Sequence, residues 1–354
     1  MEPEASATAR PTLAAVAARA GVSVSTASLV FSGSGPVAGA TKARVLAAAA
    51  ELDYGGPDPT ARSLRRGRSG VIAVVTEDRM TDAFRDPMNL AFLDGVAAAF
   101  GDDRAGLLVI PRAAGPETDL AAPPMDAAIL LGCSLDLRGS VEVLRRRRIP
   151  IVAVEADALE GVFLVDLDNR DASRFGAEHL RDLGHRRVAV VTLPLDVART
   201  AGPLTPEREE RATAYTTRQR LAGLRDVYPH AQGLSAAGSS IADGHTAGLL
   251  LLDRPAAERP TAVVAQSDLL ALGVLRAAEE LGLEVPRDVS ILGFDGARLD
   301  EAAPHVLTTL VQPAVEKGEK AAAAVFAALA GEHPDPVLLR CTLRVGTTTG
   351  PAPE

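Results

Sequence analysis

The apolar positions of the first sixty residues follow a helical spacing that turn residues interrupt. Between Thr12 and Phe31 the spacing runs up to Gly21, where a tight turn fits, and it resumes after Ser23. The Ser23 hydroxyl can accept a hydrogen bond from a free N–H at the start of the second helix. Two short helices that meet at a glycine turn are typical of a DNA-reading helix-turn-helix, and equally of a helical hairpin used for packing.

A third helical pattern follows a loop rich in glycine, at residues 32–41. Its apolar positions recur at helical spacing, so this helix can pack against the first two. We expect a small three-helix core made of Val16, Val30, Val45, Leu46, Ala49 and Leu52.

From Gly70 the pattern changes to short runs of valine, isoleucine and leucine that alternate with helical segments. Buried strands that alternate with helices predict parallel sheets covered by helices on both faces. A second unit of this kind is expected to begin near residues 163–169. Two successive α/β units form a cleft, and ligands bind in such clefts at the carboxyl ends of the strands.

The distribution of charge adds information that the overall composition hides. The 354-residue chain has 37 Lys and Arg against 46 Asp and Glu, a net charge of −9. Residues 10–68 nevertheless hold eight basic and three acidic side chains. A basic head on an acidic body favours contact with nucleic acid at the head alone, although a short basic segment also arises by chance.

The remaining composition argues against several classes of protein. Cys133 and Cys341 lie in apolar, strand-like runs, which favours two buried thiols over a disulfide. The histidines and cysteines show no metal-ligand spacing, so we expect neither a metal nor a cofactor. No apolar run is long enough to span a bilayer and the acidic N-terminus is unlike an export signal, so we expect a cytoplasmic protein that does not contact membranes.

A possible short helix lies between the head and the α/β region. Asp58 and Pro59 form a good helix start, and residues 60–65 can follow as one or two turns. So short a helix is unstable alone in water, so it should order only when something holds it. The four arginines at positions 62, 65, 66 and 68 also fit an ordinary solvated linker.

The order of these parts resembles one protein family. Three stretches, TLAAVAARAGVSVSTASLVF (12–31), VAGATKARVLAAAAELDY (37–54) and ARSL (61–64), are similar to the N-terminal region of the LacI/GalR family of bacterial transcription regulators. The resemblance continues through FLVDLDN, GHRRVAVV, PTAVVAQSDLLALG and DVSILGFDG, so it covers nearly the whole chain.

The resemblance implies an all-α helix-turn-helix headpiece, a hinge helix and an α/β core. The core would consist of two doubly wound parallel-sheet lobes of the periplasmic-binding-protein type. The implied divisions are a disordered leader at 1–11, the headpiece at 12–57, the hinge helix and linker at 58–69, and the core at 70–350. Within the core, the N-terminal lobe would take about 70–166 and 313–341, and the C-terminal lobe about 167–312 and 342–350.

The resemblance also implies how DNA is read. In this family the second helix of the headpiece reads DNA, and the paired hinge helices of a dimer enter the minor groove, where a leucine that matches Leu64 wedges between base pairs. Leu29 departs from the polar or basic residue of many relatives, and it favours a thymine methyl over guanine. The predicted DNA-contacting residues are Thr12, Ser23, Val24, Ser25, Thr26, Ser28, Leu29, Ala61, Arg62, Leu64 and Arg65.

Polar residues near strand ends are the candidates for an effector site. Asp295 matches the carboxylate that accepts hydrogen bonds from ligand hydroxyls in sugar-binding relatives, and Arg220 matches an arginine of the family. For these two residues a salt bridge between the lobes is the alternative, and for Asp168 and Asn169 it is packing or capping. The predicted effector-binding residues are Phe84, Asp168, Asn169, Arg220, Ser267, Asp268 and Asp295.

These features predict a sequence-specific transcriptional repressor. Its affinity for a palindromic operator in double-stranded DNA would be controlled by a small effector, a sugar or a related metabolite. No leucine heptads follow the core, so we expect a homodimer. A sugar-binding protein without a DNA-binding role is the main alternative, and an enzyme ranks third because no G-x-S-x-G elbow, P-loop or metal triad is present.

Two segments depart from the family pattern. The hinge region, YGGPDPTARSL, has one residue more than is usual, which leaves its geometry open. The segment from Thr192 to Arg220 is long, charged and proline-bearing, so the sequence does not fix the loop beside Arg220.

Overall fold

The computed structural model describes most of the chain. It covers residues 11–33, 35–56, 68–76, 84–101, 105–111, 120–131 and 137–353. The chain separates into two compact units, residues 1–70 and residues 71–354. We call these units the head and the core.

The described part of the head is built from helices α1 (Leu13–Ala20), α2 (Val24–Ser32) and α3 (Gly39–Glu51). Helices α1 and α2 both end at a glycine in the left-handed region, Gly21 with φ 63° and Gly33 with φ 64°. The two helices are bent by 107° at their junction, within the range of a helix-turn-helix. The predicted pair of helices that meet at a glycine turn is confirmed.

The core of the head is formed mainly by small side chains. Val45 and Ala49, four residues apart on α3, are buried against Val16 of α1. The prediction for Leu46 is wrong, because this side chain is 45% exposed. One residue along a helix turns the side chain by about 100°, so Leu46 cannot share the inward face of Val45.

The core of the protein alternates strands with helices. No single helix in the described ranges is long and apolar enough to cross a membrane. Helices α1 and α2 meet these two criteria only when they are counted together as a bent pair. The helices are α4 (Pro87–Phe100), α5 (Leu137–Arg146), α6 (Asn169–Asp182), α7 (Pro206–Glu210), α8 (Tyr215–Arg225), α9 (Ile241–Leu252), α10 (Asp268–Glu280) and α11 (Ala314–Leu329). The strands are β1 (Val71–Thr76), β2 (Gly106–Pro111), β3 (Ala127–Leu131), β4 (Ile151–Val154), β5 (Phe163–Leu167), β6 (Val188–Thr192), β7 (Gly202–Pro203), β8 (Gln232–Ser235), β9 (Ala262–Ala265), β10 (Ser290–Asp295), β11 (Thr308–Val311), β12 (Val337–Leu339) and β13 (Thr342–Arg344).

The described strands form two sheets, and each sheet is the centre of a lobe. The first sheet has the order β12-β5-β4-β3-β1-β2 and all of its pairs are parallel. The second has the order β13-β11-β10-β9-β6-β8-β7 and is parallel except at its two edges. Helices pack on both faces of each sheet and bury separate apolar clusters. The predicted doubly wound α/β lobes are confirmed.

The chain crosses between the lobes at residues 167–169, 311–314 and 339–342. Within residues 163–169, where the second α/β unit is expected to begin, β5 still pairs with β4 and β12 of the first sheet. The second lobe begins at α6. The composition of a strand indicates that it is buried, but not which sheet it joins.

Two glycines let helices α4 and α11 of the first lobe approach each other closely. A Cβ on Gly95 would lie 2.0 Å from the backbone oxygen of Val315, and one on Gly318 would lie 2.1 Å from that of Phe92. Backbone atoms cannot move aside as the end of a flexible side chain can. The spacing of this helix pair therefore depends on the absence of a side chain at both positions.

Gly95→Ala should lower the free energy of unfolding by about 2 kcal/mol, because the added methyl group forces the two helices apart. The matched control is Gly139→Ala in α5, where a Cβ would meet nothing within 4 Å. That variant should be neutral or slightly stabilising, since alanine favours helix. Urea denaturation of both variants measures the difference, and equal stability would contradict the close contact.

Candidate DNA-reading helix and effector cleft

Hydroxyl caps fix the starts of both helices of the helix-turn-helix. The Thr12 hydroxyl accepts a hydrogen bond from the Ala15 N–H at 3.2 Å. The Ser23 hydroxyl accepts one from the Thr26 N–H at 3.1 Å, as predicted. Both caps satisfy backbone donors that a helix leaves free at its first turn.

The front of α2 carries a mixed polar and apolar surface. Val24 is 50% exposed and Leu29 is 37% exposed, with the exposed Ser25 on the same helix. The side-chain oxygens of Ser25 and Thr26 both lie 2.8 Å from that of Ser23. Apart from the half-buried Thr26 and Ser28, the predicted residues of α2 thus form one small exposed surface. Ala61, Arg62, Leu64 and Arg65 lie outside the described residues.

Arg220 of α8 is the centre of the polar contacts between the two lobes. Its guanidinium is buried and lies 3.5 Å from the ring centroid of Phe294. Its Nε donates to Asn169 Oδ1 at 2.8 Å, and its Nη1 donates to the carbonyl oxygen of Gln266 at 2.5 Å. Nη1 also lies 3.6 Å from Asp295 Oδ1. Three of the predicted residues therefore lie together.

These contacts close into a ring of six buried side chains. Lys317 Nζ donates to both Glu155 Oε1 and Gln312 Oε1, each at 2.5 Å. Gln312 Nε2 donates to Asp295 Oδ1 at 2.7 Å, and Asn169 Nδ2 donates to Glu155 Oε2 at 2.8 Å. We call this set the junction ring: Glu155, Asn169, Arg220, Asp295, Gln312 and Lys317.

The junction ring joins the lobes. Glu155 follows β4 of the first sheet and Lys317 lies on α11, which packs against that sheet. Arg220 and Asp295 belong to the second lobe, and Arg220 Nη2 lies 3.9 Å from Glu155 Oε2 across the junction. The salt bridge between the lobes, which the sequence left open as an alternative role for Arg220, is therefore present, and its partner is Glu155. Arg220 and Asp295 pair within one lobe.

Burial and charge act in opposite directions on the two carboxyl groups of the ring. Burial alone would raise the pKa of Glu155, but the charges of Lys317 and Arg220 and the hydrogen bonds to it lower that pKa to about 2. Burial raises the pKa of Asp295 well above its ordinary value; Arg220 opposes this rise and the nearby Asp268 and Asp86 add to it. Lys317 and Arg220 therefore stabilise the ionised form of Glu155 more than Arg220 stabilises that of Asp295.

Glu155 and Asp295 both have a backbone conformation with positive φ. Glu155 has φ 54° and Asp295 has φ 124°, in the region that favours glycine. Residues other than glycine are strained there, and such strain persists only where surrounding contacts hold it. Strained residues concentrate at binding sites and switches, which supports a functional role for this junction.

The other predicted effector residues have different surroundings. Asp268 is fully buried, and its two oxygens accept hydrogen bonds from the Thr309 hydroxyl at 2.6 Å and the Ala297 N–H at 2.7 Å. Burial raises its pKa to about 6, although these hydrogen bonds oppose the rise. Ser267 caps α10, and Phe84 is 49% exposed in a turn.

Asp168 ties two of the lobe crossings together, because its Oδ1 accepts a hydrogen bond from the Cys341 N–H at 2.8 Å. This geometry favours the packing alternative for Asp168. Cys341 itself is only partly buried, whereas a buried thiol was expected, and Cys133 lies outside the described residues.

Sequence reasoning missed three members of the junction ring. Glu155 was detectable, since it directly follows an apolar strand, as Asp295 does. Gln312 and Lys317 gave no comparable signal, because Lys317 lies in an alanine-rich helix where a charge usually faces solvent. Among the described residues, no cluster of three or more His, Cys, Asp or Glu side chains could hold a metal ion.

The family models match both parts of this architecture. The model for bacterial regulatory proteins of the lacI family matches residues 12–56, and that for the periplasmic binding protein-like domain matches residues 177–349. The HTH-type transcriptional regulator IpsA of Corynebacterium glutamicum is 32% identical over 355 residues, which cover 96% of this chain and 98% of that protein. The chain belongs to the lacI family. It is a DNA-binding transcriptional regulator with a periplasmic binding protein-like core.

Solved structures of lacI family members have the same fold. The lac repressor dimer bound to operator and the anti-inducer ONPF has a TM-score of 0.78 at 25% identity, covering 97% of this chain and 100% of that one. The complex of the transcriptional regulator CelR with cellobiose has a TM-score of 0.66 at 27% identity, covering 96% and 100%. The predicted family and fold class are therefore confirmed.

The junction ring predicts a specific pH dependence. Because the pKa of Glu155 is lowered from 4.5 to about 2 in the folded protein, its stabilising contribution is present above about pH 4.5 and is lost as the pH falls towards 2. The free energy of unfolding of the unmodified protein should exceed that of Glu155→Gln by about 3 kcal/mol at pH 6. The difference should shrink as the pH falls below 4.5.

Urea denaturation at pH 3 to 6 measures this difference. Glu142→Gln is the matched control, since the Glu142 side chain is 64% exposed and exposed ion pairs contribute little. If the Glu155→Gln difference stayed constant across this range, the ionised buried carboxylate would be ruled out.

Proposed function

We propose that this regulator is a homodimeric, sequence-specific repressor that binds a palindromic operator and responds to a sugar-like effector. The observation that carries the DNA-binding proposal is the capped helix α2, whose front exposes Val24, Ser25 and Leu29 across a 107° bend from α1. Helices in this arrangement place the start of the second helix in the major groove. The related lac repressor binds its operator as a dimer, which supports the same assembly here.

The chemistry of the junction ring supports a polar, hydroxyl-rich effector. Arg220 offers guanidinium donors, while Asp295 and Glu155 offer carboxylate acceptors at the meeting point of the lobes. Donors and acceptors in close alternation fit the hydroxyls of a sugar, which donate and accept at once. CelR, a related regulator, forms a complex with cellobiose.

Effector control follows from competition at this ring. A ligand that bonds to Arg220 or Asp295 exchanges protein contacts for its own, and so changes the relative free energies of lobe arrangements. In the proposed dimer, hinge helices that include Ala61, Arg62, Leu64 and Arg65 would transmit that change to the DNA. A helix this short forms only when other contacts stabilise it.

Selection of bound sites from random duplex DNA by the full-length protein tests this proposal. We expect a two-fold symmetric site, because a dimer presents two copies of α2. Placed in a promoter, the selected site should lower reporter expression when the protein is present. No enrichment above random competitor at moderate salt would contradict the proposal.

On the selected site, Leu29→Ala should weaken binding by about 1 kcal/mol through the loss of apolar contact with a thymine methyl. The matched control is Leu46→Ala, another exposed leucine of the head that lies on α3. Fluorescence anisotropy of a labelled duplex measures both. Equal losses for the two variants would contradict the assignment of Leu29 to the reading surface.

A further inference from the structure

Tyr215 begins α8 in the second lobe, but its contacts are with the first lobe. Its ring packs against Ala153 and Ala156, which belong to a small apolar cluster around β4. Its hydroxyl donates to Asp166 Oδ2 of β5 at 2.6 Å. Burial, together with this carboxylate, raises the pKa of Tyr215, so the hydroxyl stays protonated and remains a donor.

Arg218 makes a second contact from the same helix. Its Nη2 lies 2.6 Å from Asp157 Oδ2, in the segment that follows β4 of the first lobe. Tyr215 and Arg218 are three positions apart, so the two side chains leave neighbouring positions on the surface of α8. Arg220, on another side of the same helix, also approaches the first lobe, where its Nη2 lies 3.9 Å from Glu155 Oε2. Helix α8 thus contacts three acidic residues of the opposite lobe.

Other contacts fix α8 firmly to the second lobe. The helix packs along α6, and Arg170 of α6 bonds to both oxygens of Asp226 at the end of α8, at 2.9 and 2.8 Å. A Cβ on Gly223 would lie 2.1 Å from the Arg170 backbone oxygen. The helix therefore moves with the second lobe, and its contacts with Asp166 and Asp157 must break if the lobes separate.

The long segment that departs from the family pattern holds the start of this helix. The carbonyl oxygen of the buried Leu195 accepts hydrogen bonds from the N–H groups of Thr213 and Ala214, at 2.8 and 2.9 Å. Between Leu195 and Thr213 the segment forms the edge strand β7 and the short helix α7. This segment is ordered by its own contacts, and it delivers Tyr215 to the lobe junction.

We propose that α8 is an interlobe clasp, in which Tyr215 and Arg218 hold the lobes together without a ligand and position Arg220 in the junction ring. The inference rests on the proposed function, because it names a device that controls closure of the effector cleft. Tyr215 contributes more than Arg218. Its ring and hydroxyl are partly buried, whereas Asp157 is 53% exposed and water competes for its charge.

The distance between the lobes tests the clasp directly. Nitroxide labels at Glu142→Cys of α5 and Ala242→Cys of α9, in a Cys133→Ser, Cys341→Ser background, report that distance by pulsed electron spin resonance. Labelled chains are diluted with unlabelled chains so that distances within one protomer dominate. The double variant Tyr215→Phe, Arg218→Gln removes both polar contacts of the clasp.

The matched control variants remove similar contacts that stay within one lobe. Tyr228→Phe removes a hydroxyl that donates to the His185 carbonyl oxygen at 3.0 Å, and Arg287→Gln removes an ion pair with Glu284 at 2.6 Å. Thermal unfolding checks that every variant is folded. The controls separate loss of the clasp from a general loss of tyrosine and arginine contacts.

We expect the clasp variant to lengthen the mean distance by more than about 2 Å, the scale of hinge rearrangements, and the controls to leave it unchanged. An unchanged distance in the clasp variant, or the same shift in the controls, would overturn the proposal. This measurement needs no DNA. Failure of the unmodified protein to select a DNA site would instead count against the proposed function alone.

Discussion

The buried pair between Lys317 and Glu155 is the interaction on which the arrangement of the core depends. Two charges removed from water lose more hydration free energy than their attraction returns, unless further hydrogen bonds use the remaining donors and acceptors. Gln312 and Asn169 supply those hydrogen bonds, and both lie at crossings between the lobes. The contacts that compensate the buried charges are therefore the same contacts that set how the lobes meet.

This arrangement explains why the residues best suited to bind an effector are already engaged. Arg220 is held by Asn169 and the Gln266 carbonyl oxygen, and Asp295 is held by Gln312. A ligand that binds here, as proposed, would replace these partners. The exchange couples binding to lobe arrangement, since a ligand shifts an equilibrium only by its differential affinity for the two states. A clasp at α8 would set the relative populations of the lobe arrangements in the absence of a ligand.

Local chemistry explains which features the sequence predicted well. Ser23 caps α2 because a hydroxyl beside a free N–H has the same effect in any fold. Asn169 and Asp295 meet because each stands at the carboxyl end of a strand that faces the cleft, and Arg220 reaches them from α8. Leu46 failed because a helical repeat gives the period but leaves the exact inward face uncertain by one residue. Lys317 was missed because its partner Glu155 is far away in sequence, and Tyr215 because its partner Asp166 lies in the opposite lobe.

We propose that contact between the head and DNA is energetically coupled to the junction ring. Hydrogen–deuterium exchange of the full-length protein with its selected operator, compared with a scrambled duplex, tests it most directly. Coupling of binding free energies is reciprocal, so an operator that prefers one lobe arrangement must alter amide exchange around Glu155, Asn169 and Arg220. We predict a change in these segments with the operator alone. Identical exchange with both duplexes at saturation would contradict the account.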